Sequence, residues 1–162
     1  PKHQALQGPG LDRLSFEPNP LPQMDLKDVE LHRQFLDLTV SAPFLIGAMT
    51  GGCDNGELIN QHLAEAAQAC QIPMALGSQR AALEQGSQAD IRRWAPSAIL
   101  LSNLGATQLQ QQGLDLARRA VESVQANALI IHLNPLQELI QPNGDRDWNL
   151  VFRAIQHCSS SI

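Results

Sequence analysis

The densest group of side chains able to do chemistry lies in the segment 132–138. In an extended chain, His132 and Asn134 point to the same side. Gln137 and Glu138 follow directly, where the chain leaves the strand. A carboxylate in this position offers the hard oxygen atoms that Mg²⁺ prefers, and Mg²⁺ also takes phosphate oxygens from a substrate. The simpler alternative is a solvated glutamate that begins a loop, and the polar neighbours of Glu138 count against it.

Three further clusters of small or polar residues each follow an apolar run. The segment 49–52 has the small side chains that let a ligand approach the backbone, although a plain turn uses the same glycines. The segment 78–80 ends in Arg80, whose forked guanidinium suits phosphate or carboxylate oxygens. A surface ion pair with Glu84 is the alternative for that side chain. The amide of Asn103 is able to orient a planar heterocycle, or it closes an Asx turn.

The elements that must position these clusters follow from the hydrophobic pattern. Short apolar runs begin at residues 44, 72, 98 and 128. Runs this short and this continuously apolar are typical of strands buried on both faces of a parallel sheet. Amphipathic helical patterns separate or follow them, at 57–70, 91–94, 114–125 and 147–158. Because parallel α/β proteins build active sites at the carboxyl ends of their strands, four clusters in these places predict one site.

The organisation of the chain is predicted as an arm followed by a periodic part. Glycines and prolines interrupt residues 1–42, which are therefore expected to form an N-terminal arm with short pieces of structure. Residues 43–162 read as four right-handed βα units. A (β/α)₈ TIM barrel has eight such units and needs about 250 residues. The predicted fold class is therefore α/β, with the four units of this chain as the first half of such a barrel. An open doubly wound sheet is the competing architecture.

Composition excludes several classes of function. The chain has 162 residues, 43% hydrophobic, enough for one core. With 11 Lys and Arg against 16 Asp and Glu it is not a basic nucleic-acid-binding domain. It lacks a transmembrane run of 18 apolar residues and a signal-peptide pattern, so no membrane partner is expected. Three cysteines without CxxC spacing argue against a disulfide framework and favour a cytoplasmic location. The GxGxxG, P-loop, GxSxG and HExxH motifs are absent.

Taken together, the four clusters resemble the type 2 isopentenyl diphosphate isomerases, which are flavin-dependent enzymes on a (β/α)₈ barrel. The matching stretches are PFLIGAMTGG at 43–52, ALGSQRAALE at 75–84, NLGATQL at 103–109 and ALIIHLNPLQELIQPNGDRDW at 128–148. The last stretch is the longest and most specific. The resemblance covers nearly all of the chain but about the first half of the family's barrel. It implies conversion of isopentenyl diphosphate to dimethylallyl diphosphate by an allylic proton shift, with reduced FMN, NADPH to reduce it, and Mg²⁺.

The resemblance also implies a role for each cluster. The implied FMN-binding residues are Ala48, Met49, Thr50, Gly51, Ser78 and Asn103. The implied substrate-binding residues are Ser78, Gln79, Arg80 and Gln137. The implied catalytic residues beside the prenyl group are His132, Asn134 and Gln137, with Gln137 positioning or relaying a proton. Glu138 would coordinate the Mg²⁺ bound to the diphosphate, and the family tends to form homo-oligomers.

The chain departs from the family's pattern at both ends. Lys2-His3 does not fit the family's Arg-Lys-x-x-His segment, and neither its Lys-Glu-Val-Gly strand nor its later phosphate loops occur here. This chain alone is therefore expected to bind FMN weakly and to be inactive. Two alternatives stay open: an FMN-dependent oxidoreductase of the 2-hydroxy-acid oxidase type, and an inactive half-barrel fragment.

Overall fold

The computed structural model describes residues 10–50, 55–86 and 90–162. Contacts between residues divide the chain into two compact units, with the boundary after Glu30. In the first unit the described residues form two 3₁₀ helices, Leu11–Arg13 and Leu26–Asp28, neither of which buries a residue. The second unit runs from Leu31 to Ile162 and holds the strands and α-helices described below.

The second unit begins with a β-hairpin inside the segment predicted as an irregular arm. Strands β1, Arg33–Phe35, and β2, Leu38–Val40, pair antiparallel. Leu36 and Asp37 join them with φ angles of 51° and 59°. Positive φ at both central residues is the geometry of a tight hairpin turn, although the sequence there lacks the usual glycine. Val40 is buried against the sheet described next.

Three parallel strands form the main sheet in the order β3-β4-β5: Met74–Ala75, Leu100–Gly105 and Ala128–His132. All six residues of β4 are buried, because this strand has a hydrogen-bonded neighbour on each side. Strand β3 begins immediately after Pro73, which has no N–H to donate to a ladder. The parallel pairing predicted for the second, third and fourth apolar runs is confirmed.

Six α-helices accompany the strands in the described part of the chain: α1, Gly56–Cys70; α2, Arg80–Gln85; α3, Ile91–Trp94; α4, Ala106–Glu122; α5, Pro135–Ile140; and α6, Val151–Ser159. Helix α1 ends at Gln71, whose left-handed backbone lets its N–H bond back to two carbonyls of the last turn. Helix α4 starts eight residues before its predicted pattern and breaks at Gly113, where φ is 72°.

The two faces of β4 have different neighbours, because side chains alternate along a strand. Leu100 and Leu104 pack into two buried clusters with α1, α3, α4 and α6. Leu101 packs on the opposite face with Val40 of the hairpin. Asn103 and Gly105 belong to this second face by alternation, as does His132, which is opposite Gly105 in the parallel register. The core therefore fixes two residues of the predicted site, Asn103 and His132, on one face of the sheet.

The first apolar run differs from its prediction as a strand buried on both faces. Ile46 forms a single parallel bridge to Met74, while Phe44 and Leu45 are exposed. The physical reason is that the described residues place no element over these two side chains.

The predicted (β/α)₈ barrel is wrong as a description of this chain. Its described residues form a mixed α/β structure with two small sheets, one antiparallel and two-stranded, the other parallel and three-stranded. A barrel requires a sheet that closes on itself, and the strand pairing here is open. The periodicity of the apolar runs correctly predicted the local βα alternation, but alternation is common to open and closed sheets.

Among the helices of the described residues, none combines the length and the apolar character that crossing a lipid bilayer requires.

Candidate active site

The parallel strands bring the predicted clusters to one edge of the sheet. Since β3, β4 and β5 run in the same direction, the residues that follow them, 76–80, 106–108 and 133–138, leave the sheet on the same side. Gln79 is tied to the neighbouring strand, because its backbone N–H donates to the Asn103 carbonyl at 2.8 Å. The edge therefore gathers side chains that lie far apart in sequence.

Asn103 and His132 form a hydrogen-bonded pair at the centre of this edge. The Asn103 Oδ1 atom is 2.7 Å from His132 Nδ1, and Asn103 is 6% exposed. Since an amide oxygen only accepts, Nδ1 carries the proton and Nε2 keeps its lone pair when the ring is neutral. Burial lowers the pKa of His132, and the charge of Glu138 works in the opposite direction. Lowering this pKa favours the neutral ring, whose Nε2 is a proton acceptor.

Gly105 lets the Gln108 side chain lie close to this pair. A Cβ atom built on Gly105 would collide with the end of the Gln108 side chain and come within 3.3 Å of His132 Nε2. The absence of a side chain at Gly105 thus makes room for the Gln108 amide beside His132 Nε2.

Glu138 is buried at the start of α5 and both of its oxygens accept hydrogen bonds. Asn134 Nδ2 donates to Oε1 at 2.7 Å, and the Asp145 backbone N–H donates to Oε2 at 2.8 Å. Glu138 lies in the first turn of its helix, where a negative charge is favoured by the helix dipole. The other amide atom, Asn134 Oδ1, is buried without a hydrogen-bond partner among the described residues.

Arg80 begins α2 and is held by two carboxylates. Its Nε is 2.9 Å from Glu84 Oε1, and its Nη1 is 3.2 Å from Asp145 Oδ2. The hydrogen bond with Glu84 and the charges of Glu84, Asp145 and Glu138 raise the pKa of Arg80, with burial opposing them. The surface pair with Glu84 is thus present, but a second carboxylate joins it.

The remaining predicted residues are more loosely placed. Ser78 Oγ accepts from the Arg80 backbone N–H at 3.4 Å, and Gln79 Nε2 turns back to donate to the Gly77 carbonyl. Gln137 is exposed on α5.

The segment after the first apolar run is mostly open to solvent. Met49 is 87% exposed and Ala48 is exposed, whereas Thr50 is partly buried and bonds to Asn60 Oδ1 at 2.5 Å. Gly51, predicted to contact FMN, lies outside the described residues.

Sequence reasoning missed two residues of this site. Asp145 lies in a segment whose residues, Gly144 to Asp147, are typical of a turn and helix cap, yet it accepts from Gln108 Nε2 at 2.6 Å, from Gln111 Nε2 at 3.2 Å and from Arg80. Gln108 is 4% exposed, which is unusual for an amide. The signal in the sequence was the segment Thr107 to Gln112, which follows a buried strand after one intervening residue, Ala106, and is polar at every position except Leu109. Long-range pairing of that run with residue 145 has no local sequence signature.

The oxygen atoms of Glu138 and Asn134 are the candidate ligands for Mg²⁺ at this site. No group of three His, Cys, Asp or Glu side chains arranged to hold a metal occurs in residues 10–50, 55–86 and 90–162. The Glu138 carboxylate next to the unbonded Asn134 oxygen is, however, the oxygen chemistry that Mg²⁺ takes while it keeps water and substrate phosphate as its other ligands. The residues therefore fit a metal bound together with a phosphorylated substrate, not a metal held by protein alone.

A mixed α/β fold with polar side chains at the carboxyl ends of parallel strands is typical of enzymes that act on small molecules. No protein-family model matches the chain. Curated relatives do: the chain is 55% identical over 151 residues to "Isopentenyl-diphosphate delta-isomerase" of Xanthobacter autotrophicus, covering 90% of this chain and 44% of that protein. Proteins of the same name from Cronobacter sakazakii and Stutzerimonas stutzeri are 49% and 48% identical over 158 and 163 residues. These matches cover 94% and 98% of this chain, and 46% and 47% of those proteins.

The chain thus spans less than half the length of these relatives. Their names agree with the isomerase part of the sequence-based resemblance. They state neither a type nor a flavin, so the assignment to the flavin-dependent type 2 enzymes is corrected to the coarser similarity, isopentenyl-diphosphate delta-isomerase.

Proposed function

We propose that this chain takes part in the isomerisation of isopentenyl diphosphate to dimethylallyl diphosphate in isoprenoid biosynthesis. The observation that carries the proposal is the 55% identity over 151 residues to a protein named for this reaction. The site supports it, because it combines an arginine, a buried carboxylate and neutral amides, and the described residues show no nucleophile and base pair of the hydrolase kind.

The reaction moves a double bond, so one carbon gains a proton and another loses one, with no net change in oxidation state. His132, Asn134 and Gln137 line the prenyl group in this proposal. The Nε2 lone pair of neutral His132 is a group on this edge able to hold a proton. Gln137 positions or relays a proton without carrying charge, and its exposure leaves it free to turn toward a substrate.

The diphosphate is bound by Arg80 together with Mg²⁺ at Glu138. Bound Mg²⁺ would supply positive charge to the phosphate oxygens of the substrate. The protein's own contribution is to fix the carboxylate, since Asn134 and the Asp145 N–H hold both oxygens of Glu138. Ser78 and Gln79 lie beside Arg80 on the diphosphate side.

FMN, reduced by NADPH, is proposed as the second cofactor, at Ala48, Met49, Thr50, Gly51, Ser78 and Asn103. The support is chemical: a serine hydroxyl and an asparagine amide suit the polar edge of a flavin ring, and the exposed Ala48 and Met49 offer an apolar surface. Reduced flavin would supply an acid and base for the proton shift. Asn103 keeps its place through its bond to His132.

The test is to incubate the purified protein with isopentenyl diphosphate, Mg²⁺, FMN and NADPH and to measure dimethylallyl diphosphate. The proposal expects product that depends on Mg²⁺, FMN and NADPH, which is the opposite of the inactivity that the departures from the family's pattern predicted for this chain alone. Product formed equally without FMN and NADPH would reject the flavin, and absence of product under every condition would reject the isomerase. Sedimentation of the same sample tests the proposed homo-oligomer.

Replacing Arg80 is expected to weaken diphosphate binding. Arg80→Ala should raise the KM for isopentenyl diphosphate about tenfold or more, because a charged, forked donor to phosphate is lost. Arg80→Lys should restore little of the loss, since an ammonium lacks the fork. The control is Arg118→Ala, an exposed arginine paired with Asp115 away from this edge. Full recovery with lysine would contradict recognition by a fork.

Replacing Glu138 is expected to change the dependence on metal. Glu138→Gln should raise the Mg²⁺ concentration that gives half-maximal turnover about tenfold, because the negative oxygen atoms are lost. FMN content, measured by absorbance, should not change. Glu122→Gln, on the exposed surface of α4, is the matched control. An unaltered Mg²⁺ dependence would remove Glu138 from the metal site.

A further inference from the structure

We propose that Asp145 is the positioning residue that couples the arginine and the glutamate of this site. The inference rests on the proposed function, since it assigns Asp145 a role in holding the groups that bind the magnesium diphosphate. Its basis is that one residue contacts both of them, through different atoms: the Asp145 carboxylate accepts from Arg80, and its backbone N–H donates to Glu138.

The Asp145 carboxylate is itself firmly placed. Oδ2 accepts from Gln108 Nε2 at 2.6 Å, and Oδ1 accepts from Gln111 Nε2 at 3.2 Å. Its side chain is 20% exposed, against 56% for Glu84, the other carboxylate on Arg80. Gln108 is buried at the start of α4 and Arg80 begins α2, so two helices hold the Asp145 carboxylate in addition to its own loop.

The arrangement leaves one end of the guanidinium for a ligand. Glu84 uses Nε and Asp145 uses Nη1. No hydrogen bond to the described residues uses Nη2, which carries two N–H donors. The carboxylates of Glu84 and Asp145 therefore hold the guanidinium in one orientation, with Nη2 left for a ligand. A guanidinium that is already oriented loses less conformational entropy when it binds a phosphate.

The loop geometry makes the coupling tight. Gly144 packs so closely on the backbone of Glu138 that no side chain fits between them. Asp145 follows directly, which places its N–H on the Glu138 carboxylate. Any displacement of this loop therefore moves the partner of Arg80 and the partner of Glu138 at once.

The experiment compares Asp145→Asn with Asp147→Asn, which removes the same charge two residues further on. Among the described residues, the Asp147 side chain accepts hydrogen bonds from Asn149 alone. Binding of magnesium pyrophosphate is measured by calorimetry, and KM and kcat for isopentenyl diphosphate are measured in parallel. Asp145→Asn should weaken pyrophosphate binding and raise KM, each about tenfold, with kcat changed less than KM. Asp147→Asn should match the unaltered protein in all three.

Two further variants separate positioning from charge and from folding. Glu84→Gln removes the more exposed carboxylate of Arg80 and should have the smaller effect on KM. Gln108→Met removes the shortest hydrogen bond to Asp145 without changing charge, and should raise KM as Asp145→Asn does. If Asp145→Asn does not fold, Gln108→Met serves as the test in its place.

Equal effects of Glu84→Gln and Asp145→Asn, or unchanged pyrophosphate binding in both Asp145→Asn and Gln108→Met, would overturn the proposal. If the unaltered protein bound magnesium pyrophosphate but made no dimethylallyl diphosphate, the isomerase would be rejected. The pyrophosphate comparison would still decide the role of Asp145.

Discussion

Gly144→Ala is expected to lower the free energy of unfolding by about 2 to 4 kcal/mol, a large effect for one methyl group. A Cβ atom there would lie 2.6 Å from the carbonyl carbon of Glu138 and 2.9 Å from its Cα. Both are backbone atoms of α5, which cannot turn aside as a flexible side chain would. The loop must move away, and the hydrogen bond from the Asp145 N–H to Glu138 breaks with it.

The loss should appear in function as well as in stability. Once the loop moves, Glu138 keeps only Asn134 as a partner and Arg80 keeps only Glu84, so pyrophosphate binding should fall further than in Asp145→Asn. Urea unfolding gives the stability and calorimetry gives the binding.

The matched control for Gly144 is Gly47→Ala. A Cβ on Gly47 meets nothing within 4 Å, and its φ is not positive, so its stability should change by less than about 0.5 kcal/mol. If Gly144→Ala unfolded at the same urea concentration as the unaltered protein, close packing of this loop on α5 would be refuted.

The sequence predicted the local elements better than their assembly. The sequence pattern predicts helices α1 and α6 and the three parallel strands. A helix buried on one face has apolar residues three and four positions apart, and a strand buried on both faces is a short continuous apolar run. The apolar run at 44–46 also predicts a buried strand, yet only Ile46 forms a β-bridge, to Met74. Whether a strand gains neighbours on both sides depends on distant parts of the chain. The barrel was wrong for the same reason: closure is a property of the whole sheet.

The residues of the site were likewise predicted where their neighbours are close in sequence and missed where their partners are distant. His132, Asn134 and Glu138 were found because they lie close in sequence after one strand, and the pairing of His132 with Asn103 follows from parallel register. Asp145 was missed because its partners, Arg80 and Gln108, are far away in sequence. Its neighbours, Gly144 and Asp147, fit an ordinary turn equally well, so only the folded structure separates the two interpretations.

Arg92 is a second residue whose importance comes from long-range contacts. It lies on α3, and its guanidinium donates to three backbone carbonyls and one side chain. Nη1 donates to Ala98 O at 2.7 Å and Ala95 O at 3.2 Å. Nη2 donates to Gln125 O at 2.6 Å and to Asn127 Oδ1 at 3.0 Å. Nε also donates to Gln125 O, at 3.1 Å. Burial lowers the pKa of this arginine.

These contacts connect α3 to the strand that carries the site. Asn127 Oδ1 also accepts from the Leu100 N–H, and Asn127 N–H donates to the Leu100 carbonyl, at the first residue of β4. Arg92 therefore fixes the side chain that anchors the start of β4, three residues before Asn103.

Arg92→Met is expected to lower the free energy of unfolding by about 3 kcal/mol, because the partly buried carbonyls of Ala95 and Ala98 lose a charged donor. Arg92→Lys should recover only a minor part, since three donors on one nitrogen cannot reach carbonyls on both sides as the planar fork does. Urea unfolding of the two variants measures both losses.

The neighbouring Arg93 supplies the control for this prediction. It is exposed on the same short helix, and Arg93→Met removes the same charge with none of those bonds, so stability should change by less than about 0.5 kcal/mol. If Arg92→Met and Arg93→Met destabilised the protein equally, charge at α3 and not the bonded guanidinium would be responsible. A large loss at Arg92 alone would show that β4, and with it the Asn103–His132 pair, depends on an arginine distant from the site.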